Sequence, residues 1–532
     1  MKRNFKSLAV ALTSIALSIA GPQAAGQRLV ILHTNDTHSN IDTSAAGVGG
    51  IVQRKAVIDS VRGAEPNMLL IDAGDAVQGS LYFKFFKGDV EYPLMNMMGY
   101  DVRILGNHEF DNGLAQLANY WKDVQGSRLS ANYDFTGTPA EGLFSPYVIK
   151  EIAGRKVGIM GLNIDPASLI AEECYGGMKY ADVVETANRV AAQLRKEGCD
   201  LVVAVTHIGY TSDNDKPDDR QLAALSKDID VIIGGHSHTF VNPATPDATP
   251  YWFENADGKP VLVVQTGKNG SYIGEISLDL SDFVQKKIDY KWIPVTDRFA
   301  PEAYSKVMLD FLAPYRAGVD SVNSNVIGRN VAAMENGRGA GTFANWAGDF
   351  AARYGRQVVD SLRSAGHDLA PLAFGMMNVG GIRMPMPEGD VKEGQILATF
   401  PFSNRLRLIS LKGADVIATM AIVAPKGGEA VSAEVTVATD SAGNMRQVLI
   451  DGRPVDPEKD YVICTIDYIA NGNDDMLPMK HHTEIWRDNV EVSLRILDYI
   501  KALTAAGVPV MGDVNPRFVV ADSQPADNSG CR

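Results

Sequence analysis

The sequence predicts a two-domain α/β protein, and three features predict it. Short apolar runs alternate with amphipathic ones through the first half. Near Phe299 the texture changes to a long stretch at helical spacing. A second series of runs then continues to about residue 520. Strands alternating with helices are the pattern of an α/β domain. A chain of 532 residues is long enough for more than one hydrophobic core.

The elements follow in chain order. Lys2, Arg3 and Lys6 precede an apolar run over 8–20, and the small residues Ala24, Ala25 and Gly26 come next. This reads as a secretory signal over 1–26, cleaved near Gly26. The run falls short of the ~18 or more residues that span a bilayer, and the tail "ADSQPADNSGCR" carries no lipid-anchor signal. The mature chain is therefore expected to have no stable membrane anchor, to be periplasmic or secreted, and to be a soluble monomer. Strand candidates are "RLVILHT" (28–34), "NMLLIDA" (67–73), "DVRILG" (101–106), "KVGIMGL" (156–162), "DLVVAVTH" (200–207), "DVIIGG" (230–235) and "VLVVQTG" (261–267). A helix is expected over 180–198, where apolar residues recur at three and four positions and Gly198 supplies a stop. These elements define a first domain over 27–298. A linker helix is expected over 299–322, with Pro301 in its first turn. A smaller α/β domain follows over 323–520, and a disordered tail over 521–532.

Composition narrows the function. The formal charge of −14 argues against nonspecific nucleic-acid binding, which leaves a positive footprint. It does not exclude anionic small substrates, since bound cations or a few arginines reverse the local field. Cys174, Cys199, Cys464 and Cys531 are too sparse for a disulfide framework and lack zinc-ligand spacing.

The informative feature is where the histidines fall. Six of nine lie in four stretches: His33 and His38 in "LHTNDTH", His108 in "GNHEFD", His207 in "VTHIG", His236 and His238 in "GGHSH". A fifth stretch, "IDAGD", adds Asp72 and Asp75. Each stretch follows an apolar strand, where an α/β sheet presents polar groups to a ligand. One histidine after a strand is usually structural; five strand tips of this kind point to a metal. Mixed nitrogen and oxygen donors suit borderline divalent ions such as zinc, manganese, iron or cobalt. The donors suffice for two ions, and Asp75 is the natural bridge.

The ordered motifs "ILHTNDTHS", "IDAGDAVQGS", "YDVRILGNHEFDNG", "VTHIG" and "IIGGHSHT" resemble those of the 5′-nucleotidase family within the calcineurin-like metallophosphoesterases. In the second half "NVGGIR", "FPFSNRL" and "DYIANGNDDM" look like that family's substrate-domain motifs. The resemblance implies a four-layer αββα sandwich, two packed sheets flanked by helices, followed by the smaller substrate domain. It implies that Asp36, His38 and His238 hold one metal, that Asn107, His207 and His236 hold the other, and that Asp75 bridges. His33 is expected to be a buried, hydrogen-bonded residue beneath the site, Asp72 structural, and His367, His481 and His482 solvated. Two cations neutralise phosphoryl oxygens and activate a water for in-line attack. His108, oriented by Asp111 three residues on, is expected to protonate the leaving oxygen. Glu109 is expected to be solvated or structural.

Phe402 and Tyr468 match the family's two base-stacking positions, with Tyr468 a departure from the usual phenylalanine. Asp474 matches its ribose-binding carboxylate, Arg383 suits a phosphate or ribose contact, and Asn378 a base edge. The implied function is release of phosphate from nucleoside 5′-monophosphates. UDP-sugar hydrolysis and 2′,3′-cyclic phosphodiester cleavage are the alternatives within the family. A periplasmic solute-binding protein, also exported, acidic and two-domain, is the alternative of another class; it needs no metal constellation.

Overall fold

The structure, a computed structural model, describes residues 28–521 apart from 45, 213–215, 281–286 and 339–340. The signal reading and the tail from residue 522 lie outside the described residues. Two six-stranded sheets make the first half. In one, Arg28–Thr34, Met68–Asp72, Val102–Ile104 and Ser127–Leu129 run parallel in that order. Tyr272–Asp279 and Ile288–Pro294 extend it antiparallel on the other edge. In the other, Arg155–Asn163, Leu201–His207, Val231–Ile233 and Pro260–Val264 run parallel, with an antiparallel strand at each edge. The inner faces meet through Leu29, Ile31, Ile71, Ile104, Ile159, Val203, Val205 and Ile233, all buried. Burial of each such side chain contributes about 1.5–3 kcal/mol.

Helices cover both outer faces. Ile51–Ala64 and Glu91–Met98 pack on the first sheet through Val52, Ile58, Leu94 and Met98. Val183–Lys196 and Asp219–Leu225 pack on the second. The architecture is the expected four-layer αββα sandwich. Asp182 caps the long helix by accepting from Glu185 N, and Gly198, at φ 82°, follows its end.

The Pro301 expectation is corrected. Pro301–Ala303 forms a separate 3₁₀ turn, and the long helix runs Lys306–Ser324, capped by Ser305. Pro301 fixes φ for a helical turn, but the serine oxygen at 305 satisfies the N–H of Met308 and sets the start. Met308, Leu312 and Val319 of this helix join an apolar cluster continuous from the first sheet's outer face into the C-terminal half.

That half holds a five-stranded sheet in the order Ala430–Val431, Leu372–Met377, Asp460–Ile466, Arg405–Lys412, Thr483–Glu491. Leu372–Met377 and Asp460–Ile466 are parallel, while Arg405–Lys412 is antiparallel to the latter with Leu406 opposite Ile466. The ends of the first two strands and the start of the third therefore share one edge. Asn378, Tyr468 and Phe402 flank those three ends. Of the cysteines, Cys174, Cys199 and Cys464 are free. Among the described residues no helix is long and apolar enough to cross a membrane.

Candidate metal centre and active site

The parallel strands of both sheets end at one edge, and the histidine-rich tips converge there. Asp36, His38 and His238 place one donor atom each within 4.8 Å of one another, as do Asp75, His207 and His236. Asp36 Oδ1 lies 3.8 Å from His38 Nε2, 3.6 Å from His238 Nε2 and 3.9 Å from His207 Nε2. Asp75 Oδ2 lies 3.1 Å from His207 Nε2, and Asp75 also groups with His38 and His108. It thus touches both clusters. Asn107 Oδ1 is 2.9 Å from His236 Nδ1.

The backbone carrying these donors is strained. Asp36, His38, Asp75, His236 and His238 have φ of 49°, 46°, 53°, 79° and 56°. Each such residue costs of order 1–3 kcal/mol, tolerated where the surroundings over-determine it. Here they do. Asp36 N donates to Gly74 O, His38 N to Asp75 O and Ser39 N to Ala76 O, at 2.9, 3.0 and 2.9 Å. His236 N donates to the Asp36 carboxylate at 3.0 Å. Glu109, buried, accepts from Gly106 N, Asp75 N and Ala76 N at 2.6, 3.1 and 2.9 Å. Of its two expected roles the structural one holds: Glu109 ties the Asp75 loop to the "GNHEFD" loop.

The donors fit divalent cations. His207 Nδ1 faces Ala73 O at 2.7 Å, which fixes the proton there and turns the Nε2 lone pair toward two carboxylates. Nε2 is wholly buried and lies 3.1 Å from Asp75 Oδ2. A lone pair facing carboxylate oxygens requires a positive charge between them. Without a cation a proton takes that place: burial opposes a charge on His207, but Asp75 and Asp36 outweigh it and lift the ring to about 10. Burial pushes Asp36 up to about 7, with Asp75 adding to the rise.

His108 Nδ1 lies 3.2 and 3.1 Å from the two Asp111 oxygens. Burial opposes its charge, but Asp111 and then Asp75 outweigh it, so the ring is held above its ordinary pKa. Its backbone N donates to Asp75 Oδ1 at 2.9 Å.

A cavity of about 370 Å³ joins the two halves. Asp75, Asn107, His108, Asp111, His236 and His238 line one side; Asn378, Arg383, Phe402, Tyr468 and Asp474 line the other. Every substrate residue expected from sequence is thus in the same cavity. Phe402 stacks on His108 with ring centroids 5.9 Å apart, and the Arg383 guanidinium lies 5.9 Å from the Phe402 centroid. Tyr468 Oη donates to Asp474 Oδ1 at 2.9 Å, and Asn378 Nδ2 to Asp474 Oδ2 at 3.3 Å. The hydroxyl that distinguishes Tyr468 from phenylalanine is spent on the carboxylate expected to bind ribose. Val379, in a 3₁₀ turn, needs no glycine: its N–H donates to buried Glu429.

Other residues behave differently from expectation or were not foreseen. His33 is buried, but neither ring nitrogen has a hydrogen-bond partner. Its ring is wedged against Gly274, where an added Cβ would come within 1.9 Å of Nε2, and burial holds it neutral with a pKa of about 3. The hydrogen bond expected of it is absent. Asp72 accepts from Thr34 Oγ1 at 2.6 Å, a structural role. His367 and His481 are exposed. Asn35 donates to Asp36 Oδ2 at 2.6 Å and accepts from Thr266 N, so it aims the Asp36 carboxylate. Its place inside "HTNDTH" was the only signal for it. Lys84 crosses between the halves, donating to Glu491 Oε2 at 2.6 Å, Ser493 Oγ at 3.1 Å and Pro401 O at 3.2 Å. Nothing in the sequence marks it.

Residues 29–240 match the calcineurin-like phosphoesterase family, and residues 320–481 match the 5′-nucleotidase C-terminal domain. The chain is 28% identical over 489 residues to Protein UshA of Yersinia enterocolitica, covering 84% of this chain and 86% of that protein. It is 29% identical over 485 residues to the 5′-nucleotidase of Vibrio vulnificus, covering 84% and 85%. The solved 5′-nucleotidase precursor from Thermus thermophilus superposes with a TM-score of 0.78 at 27% identity, over 94% of this chain and 100% of that one. With both domain families present in tandem, and with relatives aligned across both halves, the chain belongs to the 5′-nucleotidase family and is a hydrolase built on a calcineurin-like phosphoesterase domain.

Proposed function

We propose that this protein releases phosphate from nucleoside 5′-monophosphates at a centre of two divalent metals. The observation that carries this is the single cavity lined on one side by the histidine–aspartate clusters and on the other by Phe402, Tyr468 and Asp474. Asp36, His38 and His238 would hold one cation, Asn107, His207 and His236 the other, with Asp75 shared. Bound there, the cations would neutralise the phosphoryl oxygens and lower the pKa of the attacking water. His108, whose protonated form the Asp111 carboxylate favours, gives its proton to the departing sugar oxygen. Arg383 offers a planar fork of donors to phosphate or ribose oxygens. Phe402 and Tyr468 hold the base by stacking, and Asp474, already oriented by Tyr468 and Asn378, accepts from ribose hydroxyls. Phe402 stacks on His108 through one face, which leaves its other face for a base. The leader segment supports a periplasmic or secreted location.

A second reading is cleavage of a nucleotide whose phosphate carries a further group. A second cavity of about 810 Å³ supports it, lined by His236 and Asp474 together with Lys216, Arg338 and Lys426. That space could take the group beyond the scissile phosphorus. Similar chains named an apyrase and a trifunctional nucleotide phosphoesterase support this reading.

The test is phosphate release from AMP, UDP-glucose and 2′,3′-cyclic AMP with added manganese or zinc. Chelation should abolish release and a divalent ion restore it, while the core, built without the ligands, keeps the chain folded. Full turnover in a chelated, metal-free sample would remove the metal role. Binding of nucleotide with no turnover under any metal would remove the hydrolytic one.

A further inference from the structure

We infer that Gln78 contacts the substrate, its carboxamide donating to a non-bridging phosphoryl oxygen of the ester. This rests on the phosphoesterase reading above and adds a residue to it. Gln78 lies in the loop that carries Asp75, at φ 70° and only 1% exposed. Neither Nε2 nor Oε1 has a hydrogen-bond partner. Gln78 lines the same cavity as Asp75, Asn107, His108, Arg383 and Phe402.

The loop does not need this amide to hold its shape. Asp75 N and Ala76 N are bound by Glu109. His38 N and Ser39 N donate to Asp75 O and Ala76 O. Gly79 packs on His38, where an added Cβ would sit 2.9 Å from His38 O. Ser80 caps the following helix by accepting from Tyr82 N at 3.2 Å. Within this loop, Gln78 carries a buried carboxamide that the fold leaves unsatisfied. A buried, unpaired carboxamide is unfavourable, and an apolar side chain of similar shape would remove that cost. Such a group is retained where a ligand completes it. A phosphate monoester offers only acceptors on its non-bridging oxygens, so it demands donors. Arg383 supplies them from the C-terminal side of the cavity, and Gln78 Nε2 supplies one from the metal side.

Stability and function should therefore move in opposite directions. Gln78→Met keeps the length and removes both polar atoms. Gln78→Glu keeps the shape, removes the donor and adds a repelling charge. Each variant is compared with wild type in three measurements: melting temperature without ligand, the rise in melting temperature on adding inorganic phosphate to the metal-loaded protein, and kcat/KM for AMP and p-nitrophenyl phosphate. Gln78→Met should melt at or above wild type, lose most of the phosphate-induced rise, and lose about 10²-fold in kcat/KM, as for one donor to developing charge. The loss should be equal for both esters, because they share the phosphoryl group. Gln78→Glu should lose more. A lower melting temperature for Gln78→Met without ligand makes Gln78 a structural residue and overturns the inference; so does an undiminished phosphate response or kcat/KM in either variant. If wild type hydrolyses neither ester and shows no phosphate response, the phosphoesterase reading itself fails, and this one with it.

Discussion

Replacing His108 with alanine separates the proposed proton donation from the proposed metal binding, because the proposal places the two on different side chains. The ring faces Asp111 through Nδ1 at 3.1 Å, leaving Nε2 as the donor toward the cavity. The backbone N–H, which donates to Asp75 Oδ1 at 2.9 Å, survives the substitution. Asn107, the adjacent donor, keeps its own side chain. His108→Ala should therefore retain the metal content of wild type and its melting temperature to within a few degrees. A positioned proton donor is worth about 10²–10⁴ in rate, or about 2.7–5.4 kcal/mol at 1.36 kcal/mol per decade. That loss should appear in kcat for AMP, whose leaving ribose oxygen needs a proton. It should shrink to less than about tenfold for p-nitrophenyl phosphate, whose leaving group is stable as an anion. Steady-state kinetics on the two substrates, with metal analysis of the same samples, gives the answer. Equal losses on both esters, or loss of metal, would refute the acid assignment. Asp111→Asn, which removes the charge that sustains the imidazolium, should fall between wild type and His108→Ala on AMP.

Three further outcomes follow from particular contacts. Phe402→Ala should raise KM for AMP by about 5- to 150-fold, the equivalent of 1–3 kcal/mol for a lost base stack, and leave p-nitrophenyl phosphate nearly unchanged; equal damage to both would mean that Phe402 serves the core. Gly106→Ala should displace the shared carboxylate and lower metal content along with activity, because its new Cβ would lie 2.1 Å from Asp75 Oδ1 and 2.6 Å from Asp75 N; metal analysis showing full loading would contradict this. The Lys84–Glu491 contact predicts a pH effect. Burial opposes the Glu491 charge, but the bond from Lys84 outweighs it and holds the carboxyl below its ordinary value, so its stabilisation is present above the ordinary carboxylate range and is lost as pH falls through the depressed value. Wild type should accordingly lose more melting temperature than Lys84→Met between about pH 5 and pH 3, and identical profiles would show that the pair contributes nothing.

Much of the chemistry was legible in the chain. The strand "RLVILHT" is found over Arg28–Thr34 as read, and Leu201–His207 and Val231–Ile233 lie within their predicted runs. Strands buried on both faces are continuous apolar runs, so a sudden cluster of histidines and acids at their ends stands out by contrast. That contrast marks His33, His38, Asp72, Asp75, His108, His207, His236 and His238 in the sequence, and the family resemblance narrows them to a proposed ligand set that adds Asp36 and Asn107. Helix starts were less legible. Pro301 and Ser305 are both permissible first-turn signals, and only the bond to Met308 N shows which one the helix uses.

What the sequence by itself determined is which residues are candidates for the chemistry and the order of the strands that carry them, because apolar periodicity and donor type are properties of neighbouring residues. What only the tertiary structure decided depends on groups distant in sequence. Glu109 as the brace of the Asp75 loop, Lys84 as a cross-link to Glu491 at a sequence separation of 407, and the Tyr468 hydroxyl bound to Asp474 are such cases. So is the left-handed backbone at five of the seven proposed ligands. No local preference selects that conformation in aspartate or histidine strongly enough to be read from sequence. It is held by hydrogen bonds between loops from separate strands, and those bonds exist only once the two sheets have packed and brought their ends together.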